Sequence, residues 1–184
     1  MKLAFRRCLS QDREPCVSVF RSNTPQYFRE HELTDFEAFL VSGQSRFFVV
    51  ERFDEVVGCG GYRVRCGSGQ ADLCWGMIGC SYQGNRIGEY LLFARLHEIV
   101  QKENVCGVRV ATSQHTDRFY HRYRFLVRSR QRDGIDDGLD CVCMHLNLSK
   151  HTRHWIVECW KRLSSNSAVL HSVAARKESR DVAR

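Results

Sequence analysis

The sequence predicts one α/β or α+β domain rather than a helix bundle or a β-sandwich, and two observations carry that prediction. Over the first 148 residues, short apolar runs of strand length change places with stretches whose apolar residues recur every three to four positions. Length sets the domain count: 184 residues, 43% hydrophobic and 27% charged, can bury one good-sized core and leave little chain for a second.

Taken in order, residues 1–9 read as a first strand. Residues 12–22 and 33–41 carry helical spacing, the second with Phe36, Phe39 and Leu40 on one face and Thr34 or Asp35 near its start as a cap. Residues 46–52 and 56–64 are strands separated by Asp54-Glu55, a hairpin spacing, and Gly60-Gly61 marks a bulge or a close backbone approach. The turn Gly67-Ser68-Gly69 leads into a fourth strand at 71–78. Residues 87–100 form the most regular helix, with Ile87, Leu91, Leu92, Leu96, Ile99 and Val100 on its apolar side. A strand at 107–112, a short helix at 116–123 and strands at 125–130 and 139–148 complete the series, the last two joined by a turn at 133–138.

Ser149 caps a final helix in which Trp155, Ile156, Cys159, Trp160 and Leu163 form an apolar stripe. The stripe covers an apolar patch on this domain or on a second copy, which leaves a homodimer open. After Ser164-Ser165-Asn166-Ser167 the chain is polar and basic, and a frayed tail is expected. The organisation is therefore a domain over 1–148 and an amphipathic helix with a basic tail over 149–184.

Composition narrows the partners. No apolar run approaches the roughly 18 residues that span a bilayer, and the start Met1-Lys2-Leu3-Ala4-Phe5-Arg6-Arg7 breaks into charge before a signal core forms. A cytoplasmic protein with no membrane partner is expected. The formal charge of +7 favours an anionic partner, whether nucleic acid, acidic membrane or a phosphate-bearing cofactor, and charge alone does not choose. None of the ten cysteines makes a Cys-x-x-Cys pair, and Cys141 and Cys143 fall in an alternating run, so they read as reduced, mostly buried small hydrophobes. His151, His154 and Cys159 lack a fourth ligand at suitable spacing. No metal is expected.

The stretch 75–88, Trp-Gly-Met-Ile-Gly-Cys-Ser-Tyr-Gln-Gly-Asn-Arg-Ile-Gly, carries the chemistry: a strand, a glycine-containing turn, then the most regular helix. The first amides of a helix have no internal acceptors and sit at the positive end of its dipole, so such a turn presents several N–H donors to a pyrophosphate. A purely structural reading is that Gly84 and Gly88 permit a sharp turn and close helix packing. No Lys-Ser or Lys-Thr follows the glycines, and no acidic residue ends a second parallel strand, which excludes the P-loop and the dinucleotide fold.

Gln83, Arg86 and Gly88 stand at the three fixed positions of Gln/Arg-x-x-Gly-x-Gly/Ala, and the stretch resembles the acetyl-coenzyme A signature of the GNAT family. Residues 113–125, Ser-Gln-His-Thr-Asp-Arg-Phe-Tyr-His-Arg-Tyr-Arg-Phe, are similar to that family's second signature, Asn-x-x-Ala-x-x-Phe/Leu-Tyr-x-x-x-Gly-Phe. The segment 22–28, Ser-Asn-Thr-Pro-Gln-Tyr-Phe, resembles an uncharacterised bacterial-type group within it.

The resemblance implies an α+β, GNAT-like fold: a central mixed, mostly antiparallel seven-stranded sheet flanked by helices and splayed between its fourth and fifth strands to admit acetyl-coenzyme A. It implies N-acetyl transfer to an amine on a small molecule or a peptide. The backbone of Met77 and Ile78 would hold the pantetheine arm, and amides from Gln83 through Gly84, Asn85, Arg86 and Ile87 to Gly88 the pyrophosphate. Ser113 stands where an asparagine often contacts the cofactor, Tyr120 where a tyrosine commonly protonates the departing thiolate, and Asp72 where several members place a general base. These types suit the reaction, which needs a base for the amine, donors for the tetrahedral oxyanion and an acid for the thiolate.

Two signature glycines are replaced, by Arg86 and Arg124, and a positive φ at either would cost about 1 kcal/mol or more. That departure motivates an alternative, a catalytically weakened module that binds an acyl-coenzyme A in a regulatory or interaction role. The charge motivates another, a nucleic-acid binder. Arg118, Arg122, Arg124, Arg128, Arg130 and Arg132 with His121 form a basic cluster that neutralises phosphates or is simply solvated. Asp133, Asp136, Asp137 and Asp140 at the last hairpin attract an amine cation or serve turn chemistry.

Overall fold

The computed structural model describes residues 3–42 and 46–168. Its elements are β1 (Ala4–Arg7), α1 (Arg13–Ser22), α2 (Glu32–Ser42), β2 (Arg46–Arg52), β3 (Glu55–Arg65), β4 (Gln70–Ile78), α3 (Ile87–Val100), β5 (Gly107–Thr112), α4 (Asp117–His121), β6 (Leu126–Asp136), β7 (Leu139–Asn147) and α5 (Lys150–Ala168). The strands form one seven-stranded sheet in the order β1-β2-β3-β4-β5-β7-β6, in which β4 and β5 alone run parallel to each other.

Period-two alternation explains why β2 is apolar along its length, because both faces of the sheet are covered there. Phe47 and Val49 pack with Phe20 and Phe36 of α1 and α2. Phe48 lies in the main core with Leu92, Leu96 and Ile99 of α3, and Val50 packs with Ile87 and Leu91 of the same helix. The sheet is thus a layer between α1/α2 and α3/α5. The stripe of α5 closes on its own domain: Ile156 and Cys159 are buried, Trp155 packs edge-on to Phe93 at 5.3 Å, and Trp160 sits 5.1 Å from Tyr90.

Four expectations need correction. The first strand spans Ala4–Arg7, because the chain then turns at Asp12, whose buried carboxylate takes two hydrogen bonds from Arg6 at 2.6 and 2.8 Å and one from the Leu9 amide. The last hairpin turn is tighter than 133–138: β6 runs to Asp136, with Asp133 at φ 52° and a register shift between Gln131 and Asp136 absorbing the extra residues as a bulge. The final helix continues through Ala168, and the tail beyond it lies outside the described residues. Of the ten cysteines only Cys16, Cys59 and Cys159 are buried, since most of the others stand on strand faces and turns at the edge of the core.

Candidate active site in the splayed sheet

β4 pairs with β5 only from Gln70↔Gly107 to Leu73↔Val110, and beyond that point the two strands part. The cause is visible on the other side of β4. Gly61 faces Cys74 and Cys59 faces Met77, so Trp75 and Gly76 together oppose Gly60 in a bulge, with Trp75 at φ 47°. A bulge bends its strand and increases its twist, which turns the end of β4 away from β5. Gly60 serves this geometry, since a Cβ there would lie 3.0 Å from Gly76 Cα, whereas Gly61 answers to β2, where a Cβ would meet the Arg46 carbonyl at 2.6 Å. Between the parted strands lies a cleft of about 980 Å³.

One end of the cleft is the turn from β4 into α3. Gly84 (φ 76°) and Arg86 (φ 61°) both take the left-handed region, and a Cβ on Gly84 would meet nothing within 4 Å, so that glycine answers a backbone demand and not a lack of space. Gly88 faces the ring of Phe119, which a Cβ there would meet at 3.5 Å, an ordinary contact that does not itself demand glycine. The Gln83 side-chain amide donates to Asn23 Oδ1 at 3.0 Å and to the Ile78 carbonyl at 3.3 Å, and Asn23 donates to the same carbonyl at 3.0 Å. This network ties the turn to the end of α1 and leaves the first amides of α3 facing the cleft mouth. Arg86 lies beside Glu89 at 2.8 Å, which neutralises the carboxylate of the first helical turn and raises the guanidinium's own pKa.

The opposite wall is β5 and α4. Ser113 is buried, and its carbonyl accepts the Thr116 and Asp117 amides that start α4. Tyr120, 8% exposed, packs edge-on against Phe119 and Phe125, and its hydroxyl has no hydrogen-bond partner among the described residues. Arg124 (φ 68°) lies over the indole of Trp155 at 4.2 Å and lets the Phe125 amide reach back to the Tyr120 carbonyl. Tyr27, Phe28, Glu32, Trp75, His115 and Ile135 also line the cleft, with the Tyr27 hydroxyl 3.5 Å from Gln83 Oε1. Arg29 links the loop before α2 to the last hairpin, donating to Asp136 at 3.1 Å and to the Asp137 carbonyl at 2.9 Å.

Of the residues singled out in the sequence, Met77, Ile78, Gln83, Gly84, Arg86, Gly88, Ser113 and Tyr120 line the cleft. Asn85 is exposed on the turn and Ile87 is core, 1% exposed. Asp72 does not line the cleft: it sits where β4 is still paired with β5, its carboxylate beside the guanidinium of Arg65 and 3.9 Å from that of Arg109. Glu32 and His115 were not legible as site residues. The one signal was the place of His115 two residues past Ser113, in the loop after a strand end that leads into the second motif.

A parted parallel pair, a bulged strand and a helix N-terminus define an α+β domain with an open cleft between two of its strands. Residues 16–148 match the model of the acetyltransferase (GNAT) domain, and the chain belongs to the GNAT acetyltransferase family. It is similar in fold to a GNAT-family protein from Desulfovibrio desulfuricans (TM-score 0.68, 22% identity, 80% of this chain and 99% of that one). It is also similar to the ribosomal-protein-S18-alanine N-acetyltransferase of Escherichia coli (TM-score 0.68, 15% identity, 80% and 94%). A third, an aminoglycoside 6'-N-acetyltransferase complexed with coenzyme A, has TM-score 0.65 at 12% identity over 79% of this chain and 97% of that one. No curated protein matches the sequence.

Proposed function

We propose that the protein transfers an acyl group, acetyl in the family's usual reaction, from a coenzyme A thioester to an amine of a small molecule or a peptide. The observation that carries this reading is the cleft itself, with helix amides at its mouth and the unpartnered Tyr120 hydroxyl in its wall. The pyrophosphate docks on amides of the 83–88 turn, and pantetheine extends along the edge of β4 that β5 has left. Arg86 keeps the left-handed backbone of the signature glycine, which supports a working turn over a degenerate one.

The amine approaches along the wall lined by Glu32 and His115. His115, not Asp72, takes its proton, because the Asp72 carboxylate faces two guanidinium groups outside the cleft. The amine nitrogen attacks the thioester carbon, β4 amides receive the oxyanion, the C–S bond breaks, and Tyr120 protonates the thiolate.

Calorimetric titration of acetyl-coenzyme A, followed by thiol release over a panel of amines, tests the reading. Micromolar binding and turnover are expected, and Tyr120→Phe lowers turnover about a hundredfold. Binding with no turnover on any amine would assign a binding module, and no binding would remove the reading.

A further inference from the structure

Arg95 is the buried cation, among the described residues, that the reaction above leaves unused; it is 2% exposed and lines the cleft. It continues the row Ile87, Leu91, Arg95 on the side of α3 that faces the sheet, where the period calls for another apolar side chain. A guanidinium there loses its hydration, and that loss is tolerated only when the charge is paired or well hydrogen-bonded.

The sheet has been cut back to receive it. A Cβ on Gly76 would lie 2.8 and 2.9 Å from Arg95 Nη1 and Nη2, and a Cβ on Gly60 would lie 2.9 Å from Nη1. Glycine at both places lets the flat guanidinium lie against the β4 bulge. Protein partners use little of it: Nε donates to the Leu91 carbonyl at 3.2 Å and Nη1 to the Gly61 carbonyl at 3.5 Å. No carboxylate among the described residues lies within ion-pairing distance. Of five N–H donors, two are engaged.

Gly76 belongs to the part of β4 that has separated from β5, between the phosphate turn and the apex at Leu73 and Val110. An extended thioester donor with its phosphates on residues 83–88 therefore brings its acyl end toward this guanidinium. An acetyl methyl laid against it would strip the remaining water from a cation and return nothing. A carboxylate would accept two N–H bonds in the fork geometry that arginine favours.

We propose that Arg95 recognises the terminal carboxylate of a dicarboxylic acyl group, so that the preferred donor is a malonyl- or succinyl-type coenzyme A thioester. The inference rests on the coenzyme A reading above and names its donor. The reaction balances as before: an N–C bond forms, the C–S bond breaks, the amine proton leaves through His115, and the thiolate is protonated to free coenzyme A. The product amide carries a free carboxylate that the acetylated product lacks.

Titration calorimetry with free coenzyme A and its acetyl, malonyl and succinyl thioesters decides the matter on the native protein. Malonyl- or succinyl-coenzyme A is expected to bind about tenfold or more tightly than acetyl-coenzyme A. Arg95→Met should collapse that ratio, and Arg95→Lys, which keeps the charge without the fork, should leave an intermediate one. Acetyl-coenzyme A binding as well as or better than both dicarboxylic thioesters would overturn the inference and leave coenzyme A binding intact. Failure of every thioester and of free coenzyme A to bind would overturn the reading and the inference together.

Discussion

Two turns of this chain ask for the same backbone and answer it with the same residue, yet their side chains meet different surroundings. Arg86, before α3, has φ 61°, and Arg124, after α4, has φ 68°. Each holds an L-residue in the left-handed region at about 1–2 kcal/mol. Arg86 sends an extended side chain, 76% exposed, to Glu89, a surface pair in the same helical turn. Arg124 lies flat on Trp155 of α5 at 4.2 Å. The fold therefore dictates φ at both turns whatever the residue, and only the second turn draws compensation from packing. The helix after the acetyltransferase domain does more than cover apolar surface, since it holds the strained turn behind Tyr120.

The comparison breaks most sharply if Trp155 is removed. Trp155→Ala deletes the edge contact with Phe93 and the platform under Arg124. A loss of about 2–3 kcal/mol in urea unfolding is expected. If the variant unfolds within a few tenths of a kcal/mol of the native protein, α5 does not support the turn. A double-mutant cycle with Arg124→Ala isolates the stacking itself, and a coupling of about 0.5–1 kcal/mol is expected. The matching cycle between Arg86 and Glu89 should return at most about 0.5 kcal/mol and fade in high salt.

How much could be read from the sequence depends on how locally each feature is encoded. α3, β2 and β5 match the expected spans residue for residue, because their signals are repeats of apolar character within one segment. The hairpin at 133–138 misled because Asp-Gly pairs announce a turn and cannot reveal that a bulge has absorbed one. The turn at 83–88 was legible at the cleft because its pattern lies in six consecutive residues. Asp72 was not, as its neighbours Arg65 and Arg109 are brought to it by strand register. Arg95 was the least legible: an arginine on a helix that also carries Glu89, His97 and Glu98 reads as an exposed residue, and its burial against the glycines across the sheet shows only in three dimensions.

The smallest expected effect is the most discriminating. Replacing either arginine by glycine removes the left-handed strain but adds freedom to the unfolded chain, which takes back about half of the gain. At position 86 only a screened surface pair is lost besides, so Arg86→Gly should stabilise the protein by about 0.5 kcal/mol, a rise of roughly 1–2 °C in Tm. At position 124 the stacking on Trp155 is lost as well, so Arg124→Gly should leave Tm unchanged or lower it. Equal gains at both positions would mean that the Trp155 contact contributes nothing. A loss at 86 would mean that its arginine steadies the turn at 83–88 through more than the pair with Glu89, and coenzyme A titration into that variant would then show weakened binding if the turn serves the cofactor as proposed.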